Sequence, residues 1–179
     1  MELICKITEE DIGEESSKLD NPRLRLAARG IVVREDGKIA IFNKRNKNEY
    51  KLPGGGMEGK ELPEEAFKRE VLEETGCEVK NIKSLGITEE YKALDNFKQT
   101  SYVFIGEVQK NTEQLNMTEK EKEEGGRLIW ETPEKALELI KECFDKLVAS
   151  KYESVYSTKF IVLRDRKILE KYIELRKEC

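Results

Sequence analysis

The order of apolar patterns along the chain predicts the α/β class, with a mixed sheet flanked by helices around one core. Three observations carry that expectation. Strand-like stretches stand on both sides of a helical one, and two more helical stretches follow the last strand. Neither an internal repeat nor a Pro/Gly/Ser-rich linker interrupts the 179 residues. The chain is therefore expected to form a single domain over 1–179, long enough to bury a core unaided.

The elements follow in order. After a polar N-terminal segment, residues 1–22, the run from Arg23 to Glu35 reads as a strand, and Asp36-Gly37 is a turn signal before a return strand from Lys38 to Arg45. A loop through Pro53 and three glycines leads to a helix starting near Pro63, a residue suited to a first helical turn. Glu78–Tyr91 and Thr100–Gln109 read as further strands, Leu115–Arg127 as a long charged loop, and Arg127–Glu131 as a short strand. Thr132-Pro133 caps a second helix with Ala136, Leu137, Ile140, Phe144, Leu147 and Val148 at helical spacing. A third helix is expected over about 158–176, an extension with Ile161, Ile168, Leu169, Tyr172 and Ile173 as its buried stripe and most of its Lys and Arg residues on other faces.

Composition narrows the chemistry. The formal net charge of −4 argues against duplex nucleic acid as a main partner, because that role needs a basic footprint. No run is apolar and long enough to span a bilayer, so no membrane role and a cytoplasmic location are expected. Cys5, Cys77, Cys143 and Cys179 are scattered without a C-x-x-C pair, which suggests neither zinc nor a disulfide framework. There is no histidine. Its absence removes the commonest general base and the usual zinc ligand together, leaving carboxylates, lysines, tyrosines or a metal.

The stretch KLPGGGMEGKELPEEAFKREVLEETGCEV, Lys51 to Val79, raises a specific question. At 100° per residue, Glu70, Glu73 and Glu74 fall within about one third of the helix circumference. Phe67, Val71 and Leu72 lie opposite, facing a core, and Ala66 sits beside the acids, small enough to let a ligand approach. Like charges one turn apart repel, so something must offset them. Carboxylates without histidine or cysteine are hard oxygen donors, which suits Mg²⁺ or Mn²⁺ shared with substrate phosphates. Arg69 can reach Glu73 at i+4, and Gly54, Gly55 and Gly56 allow close backbone approach to a ligand.

The spacing Gly55-x5-Glu61-x7-Arg69-Glu70-Val71-x-Glu73-Glu74-x-Gly76-Cys77 resembles the box of the MutT-like Nudix hydrolase superfamily, with Cys77 in place of the final aliphatic residue. The flanks LAARGIVVREDGKIAIFNKR, YKLPGGG and WETPEKALELI are similar to that family too, from about Leu24 to Leu147. The resemblance implies a Nudix-type α/β/α sandwich with a mixed sheet, and hydrolysis of a nucleoside diphosphate linked to another group. It implies Glu70, Glu73 and Glu74 as ligands of Mg²⁺ or Mn²⁺, with the Gly55 carbonyl as a further ligand. It further implies Glu73 and Glu74 as the catalytic carboxylates, supported by Glu61 and Arg69. The general base is either in the box or on the charged loop, which offers Glu119, Glu121, Glu123 and Glu124.

Substrate choice is left open among a nucleoside triphosphate, a modified nucleotide and a nucleotide sugar. Tyr91 stands fifteen residues after Gly76, where some relatives carry a substrate-selecting residue, and Arg45 and Lys51, with Lys44 and Lys47, precede or border the glycines as phosphate-binding candidates. The partner expected is a nucleotide-type small molecule, with no stable nucleic-acid binding, and the chain a monomer or homodimer. The alternative is a nucleotide-sensing regulatory domain that keeps the fold with little or no turnover.

Overall fold

A computed structural model of the chain describes residues 1–15, 17–112 and 114–178, so Cys179 lies outside the described residues. Eight strands form one mixed sheet: β1 (Leu3–Ile7), β2 (Arg23–Val33), β3 (Ile39–Lys44), β4 (Glu49–Lys51), β5 (Gly54–Gly56), β6 (Cys77–Lys92), β7 (Phe97–Asn111) and β8 (Gly126–Glu131). Its spine runs β1-β6-β7-β2-β3-β4, with β5 paired to β2 and β8 to β3. The parallel pairings are β1 with β6 and β2 with β7; the others are antiparallel. The helices are α1 (Pro63–Thr75), α2 (Glu119–Glu123), α3 (Pro133–Cys143) and α4 (Val155–Glu178). Among the described residues no helix is long and apolar enough to cross a membrane.

Side-chain alternation on the central strands creates two apolar faces. On one, Ala28, Val32, Ala40 and Phe104 pack against Ala66, Phe67 and Val71 of α1. On the other, Ile31, Ile39, Ile41 and Val103 pack against Ala136 and Ile140 of α3 and Ile168, Leu169 and Ile173 of α4. The result is the expected α/β/α sandwich.

Three expectations about the elements need correction. The N-terminal segment is not merely a polar lead-in: β1 adds a parallel edge strand, and Ile7 and Ile12 are buried against Phe160 and Leu163 of α4. The charged loop contains α2, whose N-cap Thr118 accepts the Glu121 N–H while the Glu121 carboxylate accepts the Thr118 N–H. On α1, Leu72 is 38% exposed and Ala66 is fully buried, so the apolar arc is rotated from the expected position. Thr132 caps α3 as expected, accepting the Lys135 N–H.

Candidate active site

A cavity of about 260 Å³ opens over β5, between α1, α2 and α4. Helix α1 starts at Pro63, where the Glu65 carboxylate accepts the Leu62 N–H, and stops at Gly76 in the left-handed conformation. The glycines beneath it are there for specific reasons. Gly54 has φ +140°, outside the range of L side chains, and a β-carbon on Gly55 would sit 2.5 Å from the Glu70 carboxylate. Glu70 therefore lies directly on the glycine strand.

The crowded acids of α1 are held by two cations. Arg69 forks onto Glu61 (Nη2–Oε1 2.8 Å, Nε–Oε2 3.2 Å), reaches Glu70 at 2.8 Å and Glu73 at 3.3 Å, and donates to the Gly56 carbonyl at 2.9 Å. Those hydrogen bonds hold the Glu61 carboxyl below its ordinary value. Glu74 is only 4% exposed; its Oε1 accepts Lys51 Nζ at 2.5 Å and its Oε2 the Gly54 N–H at 2.7 Å. Burial raises the Glu74 carboxyl, with Lys51 opposing, and burial pulls Lys51 down while Glu74 more than offsets it. The repulsion posed by the sequence is thus answered within the protein itself, by Arg69 on the outside and Lys51 inside.

Glu70, Glu74 and Gly55 line the cavity together with Lys51. Glu73 does not: its side chain is 42% exposed and turned to Arg69. Of the loop acids, only Glu121 lines the cavity. Glu119 pairs with Lys122 and Glu123 with Lys151, both at the surface, while Glu124 is buried on Lys44 (2.9 Å) and Ser150. Among the described residues no three acidic, histidine or cysteine side chains converge as a ready-made metal cluster. Five acids line the cavity: Glu49 and Glu153 are tied to Lys47, and Glu70, Glu74 and Glu121 complete a set of oxygen donors that suits a hard divalent cation in kind.

Two substrate-binding expectations are corrected. Arg45 is exposed, donates to the Gly125 carbonyl and lies off the cavity lining. Tyr91 on β6 is absent from the cavity lining, whereas its neighbour Lys92 belongs to it; the Tyr91 hydroxyl donates to Glu89 and its ring lies under Lys6 and Lys98. Lys44 lines the cavity, but Lys47 is a buried structural group, 2.7 Å from both Glu49 and Glu153.

Beyond Lys44 and Lys51, the sequence reading missed the cations of the cavity: Arg25 and Arg29 on β2, Lys92 on β6, Lys120 on α2 and Arg164 on α4. Arg164 was expected on an outer face of its helix. Instead it is buried, 2.9 Å from Glu90, and α4 also contributes Ile161 to the lining. A signal did exist for Arg29. It stands between Ala27 and Ile31 in the buried alternation of β2, and charge at an inward strand position calls for a partner.

The NUDIX domain profile matches residues 23–150. Relatives include a MutT-like protein of Streptomyces ambofaciens, 28% identical over 69% of this chain and 73% of its own length. Another is YtkD of Bacillus subtilis, provisionally named an 8-oxo-dGTP diphosphatase, 34% identical over 58% of this chain; the match spans 62% of that protein. Among solved structures, a NUDIX hydrolase from Nitrosomonas europaea shares the fold with a TM-score of 0.58 and 19% identity, covering 85% of this chain and 90% of that one. The box on β5 and α1, the sandwich around it and the profile match agree: the chain belongs to the Nudix hydrolase family.

Proposed function

We propose that the protein is a divalent-metal-dependent pyrophosphohydrolase that cleaves a nucleoside diphosphate linked to another group. One observation carries the reading: Glu70 and Glu74 share a single cavity with Lys51, Arg25, Arg29 and Lys120, above a glycine strand that admits a ligand to the backbone. Acids for a cation and bases for phosphates are what a metal–phosphate substrate demands of its site.

In this reading Glu70, Glu74 and the Gly55 carbonyl hold Mg²⁺ or Mn²⁺, which when bound neutralises phosphate charge and acidifies water. Glu73, here paired with Arg69, would complete the ligand set. Arg69 and Glu61 orient the box acids, the Arg69 fork fixing two carboxylates and the Gly56 carbonyl at once. Lys51 and Lys120 face the phosphates. Glu121 is the loop carboxylate placed to orient or deprotonate the attacking water, since it alone of the four loop acids lines the cavity. The name of the Bacillus subtilis relative supports a nucleotide substrate. The whole chain, including residues 1–22 and α4, is read as one Nudix domain acting in the cytoplasm.

A second reading, a nucleotide-sensing domain with little turnover, is favoured by the burial of Glu74 on Lys51 and Gly54. Phosphate and pyrophosphate release from a panel of nucleoside triphosphates, oxidised nucleotides and nucleotide sugars separates the two. Turnover with Mg²⁺ that stops on chelation supports the enzyme; tight nucleotide binding without product supports the sensor.

A further inference from the structure

One buried cation in the cavity has no acidic partner among the described residues. Arg29 lies on β2 opposite Gly54 in the antiparallel pairing, is 4% exposed and lines the cavity. Its Nε makes no hydrogen bond, and among the described residues no carboxylate comes within ion-pair distance of its guanidinium. Every other buried basic side chain around the cavity has such an acid. Lys44 has Glu124, Lys47 has Glu49, Lys51 has Glu74, Lys92 has Glu90, and Arg164 has Glu90 and Asp165.

Glu90 and Asp165 attract Arg29 through space, but both are committed elsewhere, Glu90 to Arg164 and Gln99 and Asp165 to Arg164 and the Leu52 N–H. Burial and the nearby Arg164 lower the Arg29 guanidinium to about 10, which leaves it charged at neutral pH. An uncompensated charge at this depth works against folding. Arg25 stands at the other end of the same short strand: a β-carbon on Gly56 would lie 2.5 Å from its Nη2, and its own hydrogen bond, to Gln99, is long at 3.4 Å.

We propose that Arg29, assisted by Arg25, binds a phosphate group of the substrate from the β2 side of the glycine strand, independently of the metal. The planar guanidinium offers paired donors to two oxygens of one phosphate, and the buried setting strengthens that contact. This deepens the pyrophosphohydrolase reading and rests on it for the nature of the substrate. It assigns the phosphates two separate anchors, one through the acids of α1 and one through Arg29.

The test uses the full chain in excess chelator, with inorganic pyrophosphate and tripolyphosphate as probes, read by calorimetry and by thermal shift. The proteins compared are the parent, Arg29→Gln, Arg29→Lys, and Lys135→Gln as a surface control. The parent and the control are expected to bind and to be stabilised by the probes. Arg29→Gln is expected to lose about 10- to 100-fold in affinity, the range for a charge-assisted hydrogen bond in a closed site. Its ligand-free melting midpoint should equal or exceed the parent's, because an unpaired buried charge has gone. Arg29→Lys should recover only part of the affinity.

Parental affinity in Arg29→Gln, no binding by the parent without metal, or a collapsed Arg29→Gln midpoint would each overturn the proposal, the last by making Arg29 structural. Turnover on the nucleotide panel is read separately. A parent that hydrolyses nucleotides while Arg29→Gln binds pyrophosphate normally defeats only this inference. Arg29-dependent binding with no turnover on any nucleotide defeats only the enzyme reading.

Discussion

Replacing Arg164 by Met removes a guanidinium from inside the protein while keeping most of its aliphatic stem. Its Nη1 lies 2.9 Å from Glu90 on β6 and its Nε 2.8 Å from Asp165 beside it on α4, and neither acid is accessible to water. After the substitution Glu90 retains Lys92 at 3.5 Å and the Gln99 amide, and Asp165 retains the Leu52 N–H. Two routes give the cost. Removing one partner of a buried ion pair destabilises by about 3–5 kcal/mol. Separately, burial pushes the Glu90 carboxyl up, but Arg164, Lys92 and Arg29 outweigh it and hold the group at about 2, against 4.5 in the open chain. Each pKa unit is worth about 1.4 kcal/mol, so its surroundings favour the charged form by roughly 3 kcal/mol, with Arg164 the largest attraction. Urea unfolding at neutral pH should therefore show Arg164→Met less stable by about 3–5 kcal/mol with an unchanged slope. The double variant Glu90→Gln/Arg164→Met removes both charges and should recover about 2 kcal/mol or more relative to additivity. A single variant within about 1 kcal/mol of the parent, or strict additivity in the double, refutes the buried-pair reasoning.

The α1 acids should separate by burial. Glu74→Gln strips Lys51 of its carboxylate and is expected to cost about 3 kcal/mol, whereas the half-exposed Glu73→Gln costs less than about 1 kcal/mol; both should slow turnover by at least about 100-fold, measured by denaturation and by phosphate release. Gly55→Ala drives a β-carbon to 2.5 Å from the Glu70 carboxylate, so turnover should drop severely while the circular dichroism spectrum is kept; normal rates would mean that Glu70 can move away freely. Chelation should abolish hydrolysis, and Mg²⁺ or Mn²⁺ should restore it; restoration by Zn²⁺ alone would contradict the all-oxygen donor set. Acid should destabilise the fold between about pH 4.5 and about pH 2, because Glu90 and Glu153 are both lowered from 4.5 to about 2. For groups depressed in the folded state the contribution is complete above the unfolded value and disappears as pH falls through the folded one. Stability flat across that window would show that these acids gain nothing on folding.

Local signals wrote much of the fold into the sequence. The helix start at Pro63, the turn at Asp36-Gly37 and the cap at Thr132 each depend on a few neighbouring residues, and each lies where the pattern indicated. Strand β1 escaped because its pairing with β6 joins Leu3 to Ile87, and its five residues, of which only Ile7 is buried, show no strong alternation. Helix α2 had a legible sign, the Thr118-x-x-Glu121 capping box, hidden in a run whose dense charge suggested a loop. The rotation of the apolar arc on α1 has a tertiary cause. Glu74 is drawn inward by Lys51 and the Gly54 N–H, which turns Ala66 into the core and leaves Leu72 at the surface.

The same distinction explains why the acidic half of the site was readable and most of the basic half was not. Glu61, Arg69, Glu70, Glu73 and Glu74 lie within one loop and one helix, so spacing alone brings them together. Arg25, Arg29, Lys92 and Arg164 come from two strands and a distant helix, and only the sheet order sets them around one cavity. Arg164 lies beyond the residues that match the family profile, on a helix whose apolar stripe suggested packing alone. The structure gives that helix both tasks at once. Ile168, Leu169 and Ile173 fasten it to the sheet, and about one turn earlier Arg164 lines the cavity and binds Glu90 while Asp165 accepts the Leu52 N–H. Residue Leu52 adjoins Lys51, the partner of Glu74, so the α4 acid fixes the backbone from which the box glutamate is held. A helix outside the family match thereby sets the position of a carboxylate inside it.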